Sequence, residues 1–181
     1  MDLGLRGKVA VVSGSSDGIG YAVAHGLAQE GARIVLCARR EALLDEARKT
    51  IEKETGAEVL AITCDVQRLE DVQRLVAEVI ERFGVIHILV NNAGSVPSIR
   101  FADIDDAQWY QMLEGKFLGY IRMTREIAPH MRKAGWGRII NIAGTAGWEP
   151  SGTAMAVGLN NAAVMSWTKS LSLNMHRMAS W

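Results

Sequence analysis

The chain has 181 residues, 49% of them hydrophobic and 22% charged, and its twenty basic and twenty acidic side chains cancel. That balance suits one globular domain, 1–181, with a sizeable core, and it excludes a disordered chain. No basic run exceeds two residues, no apolar stretch reaches the ~18 residues of a membrane span, and the N-terminus MDLGLRGK has no signal-peptide core; nucleic-acid and membrane partners are therefore not expected, and the chain reads as cytoplasmic.

Lys8–Ser13 is expected as a strand. It breaks into a turn with glycines at 14, 18 and 20, and a helix runs from Tyr21 to Gln29, where Gly31 stops it. Arg33–Ala38 is a second strand, followed by a polar helix over about 41–54 that ends at Gly56. Glu58–Cys64 is a third strand. Leu69–Phe83 carries apolar residues at 69, 72, 75, 76, 79, 80 and 83, a helical period, and Gly84 ends it. Ile86–Val90 is a fourth strand, then a loop passes Pro97 and a long helix spans roughly Asp106–Arg132. Gly137–Ile142 is a fifth strand. A glycine-rich loop leads to a last helix from about Ala156.

Apolar strands alternating with helices predict an α/β fold: a doubly wound parallel sheet, Rossmann-type, with five strands present. Ligands in such folds sit beyond the carboxyl ends of the strands, so the residues there carry the functional reading. Cys37 and Cys64 close two of the apolar runs and read as buried reduced thiols. Two cysteines and four scattered histidines make no metal cluster.

The first strand ends in Gly14-Ser15-Ser16-Asp17-Gly18-Ile19-Gly20. The turn sets a helix N-terminus above a strand end, which is an anion site suited to a nucleotide pyrophosphate. Gly14 permits the tight turn, Gly18 and Gly20 permit close approach of backbone and helix, and Ser15, Ser16 and Asp17 add hydroxyls and a possible N-cap. The second strand ends in Arg39-Arg40, where an NAD site wants an acidic residue for the ribose hydroxyl. Guanidinium groups favour a 2′-phosphate, hence NADP, with NAD as the alternative through Glu41. Asp65-Val66, after the third strand, could meet an adenine amino group or cap the next helix. Asn92-Ala93-Gly94, after the fourth strand and Asn91, suits a loop lying beneath a cofactor.

Together these ends resemble the short-chain dehydrogenase/reductase family over the whole chain. Ser13-Gly14-Ser15-Ser16-Asp17-Gly18-Ile19-Gly20 matches its glycine motif, Asp65-Val66 its adenine pair, Asn91 to Gly94 its N-N-A-G motif, and Gly137–Ile142 its fifth strand. The resemblance implies a nicotinamide cofactor, hydride transfer with a small carbonyl or alcohol substrate, and a homo-oligomer built on the helix near 106–132.

The family's catalytic positions differ here. Its tyrosine position falls on Val157 (Ala154 in an atypical register), its lysine on Asn161, its serine on Gly144 with Thr145 beside it, and its helix asparagine on Lys116. Tyrosines occur only at 21, 110 and 120, and none is followed four residues later by lysine. Lys116, Thr145 and Asn161 are the candidate catalytic substitutes, and weak or absent turnover is expected because no tyrosine acid stands at the motif, the alternative being a catalytically impaired nucleotide-binding protein or a truncated family member. The resemblance also implies further strands after the fifth, so the domain reads as incomplete at its C-terminus. That would leave the fifth strand as an edge and some of Trp136, Trp148, Trp167 and Trp181 exposed.

Overall fold

The computed structural model describes residues 2–94 and 99–178. Pro97 and the last three residues, Trp181 among them, lie outside this range. Five strands, β1 (Val9–Ser13), β2 (Arg33–Ala38), β3 (Val59–Thr63), β4 (Ile88–Asn91) and β5 (Arg138–Asn141), form one parallel sheet in the order β3-β2-β1-β4-β5. The helices between them are α1 (Gly18–Gln29), α2 (Glu41–Thr55), α3 (Leu69–Phe83), α4 (Asp106–Leu113), α5 (Gly119–Lys133) and α6 (Met155–Met178). The expected doubly wound α/β fold is therefore the observed one.

Parallel strands need cover on both faces, and the inner strands β1, β2 and β4 are accordingly buried at every residue but Arg33. On one face Val9, Val11, Val35 and Leu89 pack with α3 and α5 through Leu75, Val79, Met123 and Ile127. On the other, Ala10, Val12, Ile34, Leu36 and Val90 meet α1 and α2 through Ala24, Ala28, Leu44 and Ile51. Glycines in the left-handed region end α2 and α3, as their positions predict: Gly56 at φ 69° and Gly84 at φ 74°.

Three expectations need correction. The first helix starts at Gly18 rather than Tyr21, because the glycine turn is itself the first helical turn. The strand bounds also shift: β2 is as expected, β1 begins one residue later, β3 and β5 lose one residue at each end, and β4 begins two residues later and ends one later. The long helix 106–132 is not one α-helix: Glu114–Leu118 form a π-helical turn between α4 and α5. Apolar periodicity cannot separate this turn from α-helix, since it shifts the hydrogen bonds by one residue without breaking the rod. Gly119 lies just beyond it, where a Cβ would stand 2.8 Å from Val66 Cγ2. The rod therefore passes against the segment that leaves β3.

Among the described residues β5 is an edge strand and Ile140 is 43% exposed. Trp148 is 81% exposed. Trp136 and Trp167 are half-buried: Lys8 Nζ lies 4.4 Å above the Trp136 ring, and Trp167 meets Phe117 edge-on.

Candidate functional site

The sheet order turns between β1 and β4, because β2 and β3 lie to one side of β1 and β4 and β5 to the other. Loops leaving β1 and β4 must therefore part, and a crevice opens between them. This crevice is a cleft of about 630 Å³ running from the glycine turn past the ends of β2 and β3 to β4 and α4.

The glycine turn is held from three directions. Gly14 N–H donates to the Cys37 carbonyl at 2.7 Å. Ser15 Oγ donates to the Val12 carbonyl at 2.7 Å and accepts from Cys37 N–H at 2.9 Å. Asn92 Nδ2 donates to the carbonyls of Ser13 and Gly14 at 3.1 and 3.0 Å, while Ser13 Oγ accepts from the N–H groups of Asn92 and Ala93. A Cβ on Gly20 would stand 2.2 Å from the Gly14 carbonyl oxygen, and one on Gly14 would stand 2.8 Å from Ala93 Cα. Gly18 differs: nothing lies within 4 Å of a Cβ there, and its need for glycine comes from φ +57°. Close approach is thus the role of Gly14 and Gly20 but not of Gly18. Asp17 occupies the N-cap of α1 without a side-chain cap bond, so its carboxylate leaves the first-turn N–H groups uncovered.

Gly14, Ser16, Asp17, Gly18, Ile19, Arg39, Arg40, Asp65, Val66, Asn92, Ala93 and Gly94 all line the cleft. Ser15 and Gly20 do not; both are buried beneath it and act on the turn. Glu41 lies in the first turn of α2 rather than at the strand end. Asp65 Oδ1 accepts from Gln67 N–H at 3.0 Å and Asp71 Oδ2 accepts from Asp65 N–H, so the carboxylate shapes the loop before α3. The far wall of the cleft, with Gln67, Ile99, Gln108, Gln111, Met112 and Gly115, was not legible at the strand ends. Only Gln108 carries a local signal, the capping box it forms with Asp105. Cys37 and Cys64 are free buried thiols at the cleft floor; a hydrogen bond to Cys64, then burial, pushes the Cys37 thiol up.

The candidate catalytic residues are less tightly gathered, and none of the three lines this cleft. Lys116, in the π-helical turn, packs beside Gly94, where a Cβ would stand 2.9 Å from Lys116 Cβ. Burial lowers its pKa, and its ammonium lies 5.7 Å over the Tyr120 ring. Asn161 is buried, accepts from Gly144 N–H through Oδ1 at 2.7 Å and donates to the Val157 carbonyl at 2.8 Å. Thr145 is exposed in a one-turn 3₁₀ helix that Asn161 thereby holds. Tyr120 is buried and donates its phenol to the Ile142 carbonyl, and burial raises its pKa strongly. A polar chain, buried at Asn91 and Thr124 and half-buried at Asn141 and Thr168, was not legible in the sequence: Asn91 Nδ2 donates to Thr124 Oγ1 and Asn141 Oδ1, and Asn141 Nδ2 donates to Thr168 Oγ1. It ties β4, β5, α5 and α6 at the foot of the site.

Residues 8–179 match the family model for short chain dehydrogenases. The chain belongs to the short-chain dehydrogenase family. Human dehydrogenase/reductase SDR family member 4 is 34% identical over 172 residues, covering 94% of this chain and 62% of that protein. The L-sorbose reductase of Gluconobacter frateurii, solved with NADPH and L-sorbose, superposes with a TM-score of 0.94 at 37% identity, over 98% of this chain and 67% of its own. An NAD+-bound xylitol dehydrogenase superposes with a TM-score of 0.91 at 29% identity, over 96% of this chain and 66% of its own. This chain thus spans less than two thirds of the human relative's length. Among its described residues no helix is long and apolar enough to cross a membrane.

Proposed function

We propose that the chain is a nicotinamide-dependent oxidoreductase acting on a small carbonyl or alcohol, with NADP(H) preferred over NAD(H) and slow turnover. The observation that carries this reading is the single cleft lined at once by the glycine turn, Arg39, Arg40, Asp65, Val66 and Asn92–Gly94. The turn fits a pyrophosphate, since the N-terminus of α1 opens on the cleft with no cap bond from the Asp17 side chain, and Gly18 on the cleft wall leaves open space where a Cβ would stand. The two arginines suit a 2′-phosphate. Solved relatives with NADPH and with NAD+ support a nicotinamide cofactor without choosing between them.

A bound nicotinamide supplies hydride chemistry; the chain must deliver a proton to the substrate oxygen. Of the three candidates, Lys116 suits this best. It alone ionises, its pKa is lowered by burial, and it neighbours Gly94 at the cleft's end. Asn161 and Thr145 suit holding the loop beside it. The test is NADPH consumption over a panel of carbonyl compounds. Slow turnover that falls at least about tenfold in Lys116→Met, with NADPH affinity kept, supports the reading. Turnover untouched by that change removes Lys116 from it.

Val157 and Asn161, where the family's acid and lysine are expected, favour a second reading: a nucleotide-binding chain without catalysis. NADPH binding with no turnover would select it. A homo-oligomer on the segment near 106–132 belongs to the proposal as well, supported by Tyr110 on α4, which is 71% exposed; sedimentation of the chain and of Tyr110→Glu checks it. A cytoplasmic location is proposed with it.

A further inference from the structure

Arg39 and Arg40 are sequence neighbours at the mouth of the cleft, yet their surroundings differ. Arg39 has no ion pair among the described residues, whereas the Arg40 guanidinium donates to Asp17 Oδ2 at 2.6 Å and to Ser16 Oγ at 3.4 Å. The Asp17 and Arg40 side chains are 65% and 60% exposed, and both line the cleft. Asp17 holds the N-cap position of α1, where aspartate ordinarily bonds a backbone N–H, but its carboxylate is turned to Arg40 instead. A negative charge therefore stands at the anion-binding end of a helix, against one of the two cations available to a phosphate.

We propose that Asp17 sets the cofactor specificity of this cleft: its carboxylate latches Arg40, and a 2′-phosphate must open the latch to use that guanidinium. The inference rests on the dinucleotide reading above and deepens it. A phosphate monoester carries about −1.5 to −2 charges and prefers a two-pronged grip by the guanidinium fork. One prong of Arg40 is already committed to Asp17, and the carboxylate repels the arriving phosphate. A ribose hydroxyl carries no charge and suffers neither penalty. The pyrophosphate is common to both cofactors, so its repulsion by Asp17 cancels when their affinities are compared as a ratio. The preference for NADP(H) is thus held below what Arg39 and Arg40 alone would give.

The test uses the full chain and calorimetric affinities for NADPH and NADH in four forms: unaltered, Asp17→Asn, Arg40→Met and the double variant. Asparagine is as good an N-cap as aspartate, and thermal melting verifies that the variants fold. Asp17→Asn is expected to raise the NADPH-to-NADH affinity ratio about two- to fivefold, the range of an exposed ion pair. The rise should shrink in the Arg40→Met background, where no guanidinium remains to be released and only the carboxylate's repulsion of the phosphate is relieved. An unchanged or lowered ratio in Asp17→Asn overturns the latch. So does an equal rise with Arg40 absent, which is plain charge repulsion. Failure of the unaltered chain to bind either dinucleotide overturns the cofactor reading, and the latch with it.

Discussion

His87 illustrates how one side chain ties the sheet to pH. Its Nδ1 accepts from Val9 N–H at 3.0 Å, a bond that requires the ring to be unprotonated at that nitrogen. Burial, then the charges of Lys8 and Arg33, lower its pKa below the ordinary 6.5. The unfolded chain therefore binds the proton first, and stability rises with pH across that window. It is fully present above 6.5 and is lost as pH falls through the folded value. Urea midpoints measured from about pH 8 down to about pH 5.5 should drop below the ordinary histidine value, and His87→Gln should flatten the drop. None of this is legible in sequence, because the Val9 amide reaches His87 only when β1 and β4 pair. The same holds for Ser15 and Asn161. Both were readable as polar residues near a site, but only the packed structure reveals that Ser15 ties β1 to β2 and that Asn161 holds Gly144. Arg39, Arg40 and Asn92 were easier, since each comes within two residues of the end of an apolar run, where a parallel sheet presents its ligand-facing residues.

At the level of elements, the glycine turn separates two reasons for lacking a side chain. Gly20→Ala would drive a Cβ into the Gly14 carbonyl and Asn92, both fixed by the β1–β4 stitching. Gly18→Ala meets open space and costs only the left-handed conformation, about 1–2 kcal/mol. Gly20→Ala should therefore abolish NADPH binding and lower the melting temperature more than Gly18→Ala, which should still bind; calorimetry and thermal melting on both variants check it. The strands and most helices were legible because apolar runs and glycine stops follow from burial and backbone freedom. The π-helical turn at Glu114–Leu118 was not, because a single such turn leaves the rod continuous and no residue type marks it.

For the whole molecule, the sheet divides two cores that share every inner strand. Leu89 faces α3 and α5, and Leu36 faces α1 and α2. Each is fully buried, so truncation to alanine should cost about 2–5 kcal/mol. Because the two sites lie on opposite faces, their costs should add within about 0.5 kcal/mol, as read from urea unfolding of the single and double variants. The doubly wound architecture and its crevice were legible from the alternation of elements alone. The far wall of the cleft was not, since α4 reaches it through a long connection that local pattern does not aim.

The stitching of Asn92 to Ser13 and Gly14 also carries a consequence in time. The cradle for an anion begins at residue 13, but its clamp arrives 79 residues later. At about 5–20 residues per second, a ribosome needs several seconds to supply that clamp after the glycines have emerged. Through that interval the turn lacks both its bonds to Asn92 and the β4 wall of its crevice. Occupancy of the cradle would therefore report that β4 has joined the sheet, making the nucleotide a late witness of assembly rather than a seed for it.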